Sequence, residues 1–231
     1  MIKREEMKEG TPFKIAQGEI DKVMSALFDY WDELLKEFNL PEKTYPFIID
    51  RIDSFQEHYY EAFKEWYPAF EKTEEFLKSV GPAIKPSSTM TTAFMGLAKD
   101  GKIIQFVYCS LEIIMEKLII GKNIPTEKGD YIELVIEHLK IALRHEMGHV
   151  LHNISLWKSA DGDYKKFDDI ICEEGKKYKE GYDNLIKEYE GYYMDKMFYK
   201  KYHDLPGEAE ANLEVGLTWE DHWKWRMITE E

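Results

Sequence analysis

Near the N-terminus the apolar positions run Ile20, Val23, Met24, Leu27, Trp31, Leu34, Leu35 and Phe38. Steps of three and four place them on one face of a helix. Pro41 and Pro46 then punctuate a loop. A second helical stretch is predicted over about 47–78, with Pro68 as a kink or break. Gly81-Pro82 and Pro86-Ser87-Ser88 close this region. A helical subdomain is therefore expected over 1–85 and a second unit over 86–231. The pattern then changes. Two short apolar stretches, 91–98 and 102–109, flank Lys99-Asp100-Gly101, and Asp-Gly suits a tight hairpin turn. The second stretch, Ile103-Ile104-Gln105-Phe106-Val107-Tyr108, is β-branched and aromatic. These features predict a β-hairpin over about 91–109. Ser110 has the character of an N-cap for a helix ending at Gly121.

Asp130-Tyr131-Ile132-Glu133 has the form of a capping box. Ile132, Ile136, Leu139, Leu143, Met147, Val150 and Ile154 follow at helical spacing, which predicts a helix to about residue 154. The stretch beyond it, about 155–205, is polar and rich in Lys and Tyr. It reads as a helical insert of one or two helices, around 164–179 and 182–202. A last helix is expected near Pro206, and Trp219, Trp223 and Trp225 of the tail read as packing residues.

Composition narrows the classes. The chain has 231 residues, 44% hydrophobic and 14% aromatic, which is ample to bury a core. A net charge of −14 argues against nucleic acid and anionic membranes as partners, since both call for Lys and Arg. No apolar run approaches the ~20 residues of a membrane span, and the N-terminus has no apolar leader. Cys109 and Cys172 make no disulfide framework and are read as structural thiols. Together these predict a cytoplasmic protein.

The long predicted helix carries His145-Glu146-Met147-Gly148-His149, an HExxH motif. Histidines four residues apart on a helix differ by about 40° in direction, so both can reach one ion. His145 and Met147 lie about 200° apart, so the imidazoles project away from the apolar stripe. Zinc takes neutral imidazole readily and acidifies water, and Glu146 is placed to act as the general base. A catalytic zinc site wants a third protein ligand. A third His further along this helix, as in the metzincin pattern, is absent, because Ser155 stands six residues after His149. His138 and His152 share the histidine face. Three ligands from one straight helix do not surround a tetrahedral ion easily, so His152 is expected beside the ligands or at the rim. His138 is expected to be solvated or packed. Leu205-Pro206-Gly207-Glu208-Ala209-Glu210-Ala211-Asn212 offers a carboxylate on another helix. Glu208 and Asn212 are one turn apart on one face, and Glu210 points away from them. Glu208 is the favoured ligand over Glu210, with Asn212 accepting from a ligand imidazole.

HExxH followed by Glu-x-x-Ala-Asn resembles the gluzincin branch of zinc metallopeptidases. His-Glu-Met-Gly-His-Val-Leu-His with Glu-Ala-Glu-Ala-Asn downstream is most similar to the ImmA/IrrE family. The resemblance spans about 90–154 and 205–217. It implies a zincin-like α+β fold, mainly helical, with a small sheet packed on the HExxH helix and an edge strand along the cleft, for which 102–109 is the candidate. It implies a Zn2+ cofactor held by His145, His149 and Glu208, and a protein or peptide substrate. An oxyanion donor is also needed. Tyr202 and His203 are the first candidates, since they precede Glu208 closely. The expected function is peptide-bond hydrolysis. The rival is an inactive or structural-zinc protein-binding module of mobile-element or regulatory origin, with His152 or Glu210 as a fourth ligand.

Overall fold

The computed structural model describes residues 15–41, 45–50, 90–97, 103–121, 131–189 and 196–226. Helices dominate and one three-stranded sheet accompanies them, an α+β architecture. The predicted first helix is α1 (Gln17–Glu37), with Ile20, Val23, Leu27, Trp31, Leu34 and Leu35 buried. The hairpin is formed by β2 (Met90–Leu97) and β3 (Ile103–Ser110), which pair antiparallel with a register shift between Phe94 and Gly96. The expected Asp-Gly turn lies outside the described residues.

Phe47–Asp50, expected as helix, is a strand, β1. It pairs parallel with β3, placing Phe47 opposite Val107 and Ile49 opposite Cys109. Four residues of Phe-Ile-Ile-Asp hold no full helical period, and their β-branched character suits the pleat. The rest of the predicted 47–78 helix lies outside the described residues. The pairing also corrects the expected edge strand. The strand order is β1-β3-β2, so β3 is central, and β2 is the edge strand beside the HExxH helix among the described residues.

Two helices follow the sheet. The first is α2 (Leu111–Gly121). Ser110 precedes it but does not cap it through its side chain, whose hydroxyl is buried without a hydrogen-bond partner among the described residues. The second is α3 (Tyr131–Ser159), the HExxH helix, five residues longer than its predicted end. The proposed cap, Asp130, lies outside the described residues. Ile132, Val135, Ile136, Leu139, Leu143, Met147 and Val150 of α3 share one core with α1, the sheet and α2. The expected subdomain boundary falls outside the described residues, and the described elements on its two sides pack into that common core. Gln105 of β3 fastens the sheet to α3, donating to the Val150 carbonyl at 3.0 Å and accepting from Asn153 at 2.9 Å.

The first helix of the insert runs past residue 179, its expected end. α4 (Tyr164–Glu188) runs unbroken through Gly181. That glycine allows a close approach, because a Cβ there would lie 2.6 Å from a Leu205 methyl. Asp163 caps α4 by accepting from the Lys166 N–H. Next come α5 (Lys196–His203), α6 (Glu208–Glu214) and α7 (Trp219–Arg226). Trp223 packs half-buried on Tyr199, and Lys196 and Lys200 lie over the Trp219 ring. The Trp225 side chain is outside the described set. Cys109 is buried as expected, whereas Cys172 is exposed on α4. No described helix is long and apolar enough to cross a membrane.

Candidate metal centre

The far flank of α3 meets α6 at very short range. A Cβ on Gly148 would sit 2.1 Å from the Ala211 carbonyl oxygen, so only glycine permits this approach. The contact brings α6 against the two motif histidines. At the start of α6, Gly207 adopts φ +83°, which favours glycine. Its N–H donates to the Glu210 carboxylate at 2.7 Å. That contact separates the two candidate glutamates. Glu210 is exposed and caps the helix, and Glu208 is buried and turned towards α3.

His145 Nε2 and His149 Nε2 lie 3.1 Å apart. Glu208 Oε2 is 3.2 Å from the first and 3.8 Å from the second. All three ligand atoms fall within 4.8 Å of one another. A tetrahedral zinc with bonds of ~2.0–2.1 Å has ligand–ligand edges of about 3.3–3.4 Å, which these separations bracket. Glu208 Oε2 is buried and makes no aligned hydrogen bond, although it is at ion-pair distance from His145. An orphaned carboxylate oxygen facing two imidazole nitrogens is the donor set a divalent cation satisfies. His145, His149 and Glu208 can therefore hold a metal ion.

The surrounding contacts orient these groups. His145 Nδ1 donates to Asn212 Oδ1 at 2.8 Å, the role expected of Asn212. In a neutral ring this turns the Nε2 lone pair towards His149 and Glu208. Tyr202 donates its hydroxyl to Glu208 Oε1 at 3.0 Å, and the Asn212 amide nitrogen lies 3.0 Å from His203 Nδ1. The Tyr202 hydroxyl is thus engaged with the carboxylate and His203 Nδ1 with the amide, while His203 Nε2 has no hydrogen-bond partner among the described residues. His152 is buried, with Nε2 2.9 and 3.0 Å from the two Glu174 oxygens, and it ties α3 to α4. It stands beside the ligand group without joining it. His138 bonds through Nδ1 with the Leu134 carbonyl of its own helix at 2.6 Å.

Glu146 is buried, and the Thr92 hydroxyl of β2 lies 2.8 Å from its Oε2 and 3.0 Å from its carbonyl oxygen. Burial pushes the Glu146 carboxyl up to about 7, against the pull of the His145 charge and of Thr92. A base poised near neutrality suits proton transfer. Burial works against the charged form of His145, but the nearby Glu208 and Glu146 carboxylates outweigh it and hold the ring up at about 9. His149 is driven down to about 4 by burial and by the His145 charge. Burial opposes ionisation of Glu208 too, yet the two imidazoles hold it down at about 2. The Tyr202 phenol is pushed far up by burial and by the Glu208 charge, which keeps its proton on the hydrogen bond to that carboxylate.

Sequence reasoning does not reach four of these contributors. Thr92 sits at a predicted strand position with no local signal for its partner. Glu174 lies within the insert. Gly148 occupies a variable place of the motif, and its role appears only when α6 is docked. His222 of α7 is 4% exposed and bonds Asn212 Oδ1 through Nε2 at 2.8 Å. The one sequence signal for it is a histidine among tryptophans in the tail. The chain matches no protein-family model, no curated protein and no solved structure.

Proposed function

We propose that this chain is a zincin-like zinc metallopeptidase that hydrolyses peptide bonds with Glu146 as general base. The observation that carries the reading is the convergence of His145, His149 and Glu208 beside a buried Glu146. When bound, zinc supplies a Lewis acid and makes water acidic enough to deprotonate near neutral pH. The protein supplies the rest. Asn212 keeps the proton of His145 on Nδ1, and Tyr202 holds Glu208 through Oε1. Thr92 engages one oxygen of Glu146 and leaves the other to accept a proton from the attacking water. The same carboxyl then returns that proton to the leaving amine. The cofactor, a protein or peptide substrate and a cytoplasmic site of action belong to this proposal.

The structural-zinc alternative needs a fourth protein ligand. Its two candidates are occupied, His152 by Glu174 and Glu210 by the N-terminus of α6. That supports a three-ligand site with one position open to substrate. Elemental analysis of purified protein tests the reading. About one zinc per chain is expected in wild type, weakened or lost in Glu208→Ala. Wild type that takes up no zinc when it is supplied overturns the proposal.

A further inference from the structure

We infer that His222 and His203 are positioning residues for the metal ligand His145, acting on it through the Asn212 amide. The inference rests on the metal-centre reading above and extends it to α5 and α7. Asn212 stands where three imidazoles meet. Its Oδ1 is 2.8 Å from His145 Nδ1 and 2.8 Å from His222 Nε2, and its Nδ2 is 3.0 Å from His203 Nδ1. Asn212, His203 and His222 are 6%, 7% and 4% exposed, so water is a poor substitute for any partner. The rings also pack on one another, with centroids 4.1 Å apart for His203 and His222 and 4.9 Å for His145 and His222.

An amide can occupy this place in two ways, related by a half-turn about its terminal bond. With its oxygen towards His145 and His222, both rings donate and His203 accepts. A neutral His145 then carries its proton on Nδ1 and keeps a lone pair at Nε2. With the amide reversed, its nitrogen faces His145 Nδ1, which must accept. The neutral ring would then carry its proton on Nε2, where the ion must bind. Only the first arrangement leaves His145 able to ligate. Reversal requires His145, His203 and His222 to exchange protons together, because each ring's role is set by the same amide. The two outer rings therefore lock the amide in the competent sense. Neither belongs to the ion-binding group itself.

His222→Gln and His222→Met test this as a pair. The two side chains are alike in length and differ in the N–H donor. Zinc affinity is measured by chelator competition for both variants and wild type, with the metal-free Tm in parallel. The Met variant should bind zinc about tenfold more weakly than the Gln variant, at similar metal-free Tm. Equal affinities overturn the inference and leave the metal centre standing. Wild type without zinc affinity overturns the metal-centre reading, and this inference with it. If the substitutions at 222 prevent folding, His203→Gln and His203→Met carry the same test, since Gln supplies an acceptor oxygen and Met a weak sulfur. There too, equal affinities overturn it.

Discussion

The two flanks of α3 are built on opposite terms. Towards α1 it is dry. Leu139, Leu143, Met147 and Val150 are buried among Ile20, Val23, Leu27 and Leu34. Among the described residues, its polar side chains meet the sheet at Glu146 with Thr92 and at Asn153 with Gln105. Towards α5, α6 and α7 it is polar yet equally closed, with His203, Glu208, Asn212 and His222 all under 9% exposed. Burying apolar area stabilises by about 25 cal/mol per Å², whereas buried polar groups give little net stability even when paired. The dry flank holds the fold together. The polar flank fixes directions, and it leaves Glu208 Oε2 and His203 Nε2 without hydrogen-bond partners among the described residues.

Substitutions on the two flanks should separate stability from chemistry. The largest effect is expected at Glu146. Glu146→Gln should lower cleavage of a peptide library by about a thousandfold, the middle of the range for a general base, while zinc content stays at the wild-type level. Undiminished cleavage would show that the base is elsewhere. On the dry flank, Leu139→Ala should cost about 2–5 kcal/mol in chemical denaturation, with zinc affinity of the folded protein unchanged. A large loss of affinity there would mean that the flanks are coupled.

A smaller effect comes from the ion itself. Zinc at about a hundred times its Kd should add about 2.7 kcal/mol of stability and raise Tm, since the folded chain assembles the three ligands. The smallest effect is expected where a salt bridge spans the boundary between the flanks. Arg144 pairs with Glu37 of α1 at 2.6 and 2.9 Å and donates to the Val215 carbonyl beyond α6 at 2.9 Å. Glu37 is 48% exposed, so Glu37→Gln should cost less than about 1 kcal/mol. The Arg144 hydrogen bond holds the Glu37 carboxyl below its ordinary value. Its contribution is therefore present above the unfolded carboxylate pKa and fades as pH falls through the lowered one. Denaturation of wild type and variant should converge in acid.

The dry flank was largely legible in the sequence. The stripes of α1 and α3 are long enough for a 3.6-residue period to declare itself, and the hairpin is marked by its turn and by β-branched residues. β1 was not legible, because four apolar residues carry no period. Misreading it made β3 an edge strand when it is central. In the insert, α4 continues through Gly181 to Glu188, and the glycine's lack of a side chain serves the contact with Leu205. On the polar flank, the motif spacing gave His145, Glu146 and His149, and helix geometry separated Glu208 from Glu210. Thr92, Glu174 and His222 meet the site only through tertiary packing, and no local pattern encodes such partners.

The position of β3 also bears on the order in which the chain assembles. One neighbour is close along the chain, with Leu97 opposite Ile103. The other is remote, since Phe47 pairs with Val107, sixty residues further on. Closing the longer loop costs more entropy, and distant pairings slow folding. Loop length therefore favours closing the hairpin before docking β1. The strand bearing Thr92 is thus seated by a local pairing and the opposite side of the sheet by a remote one.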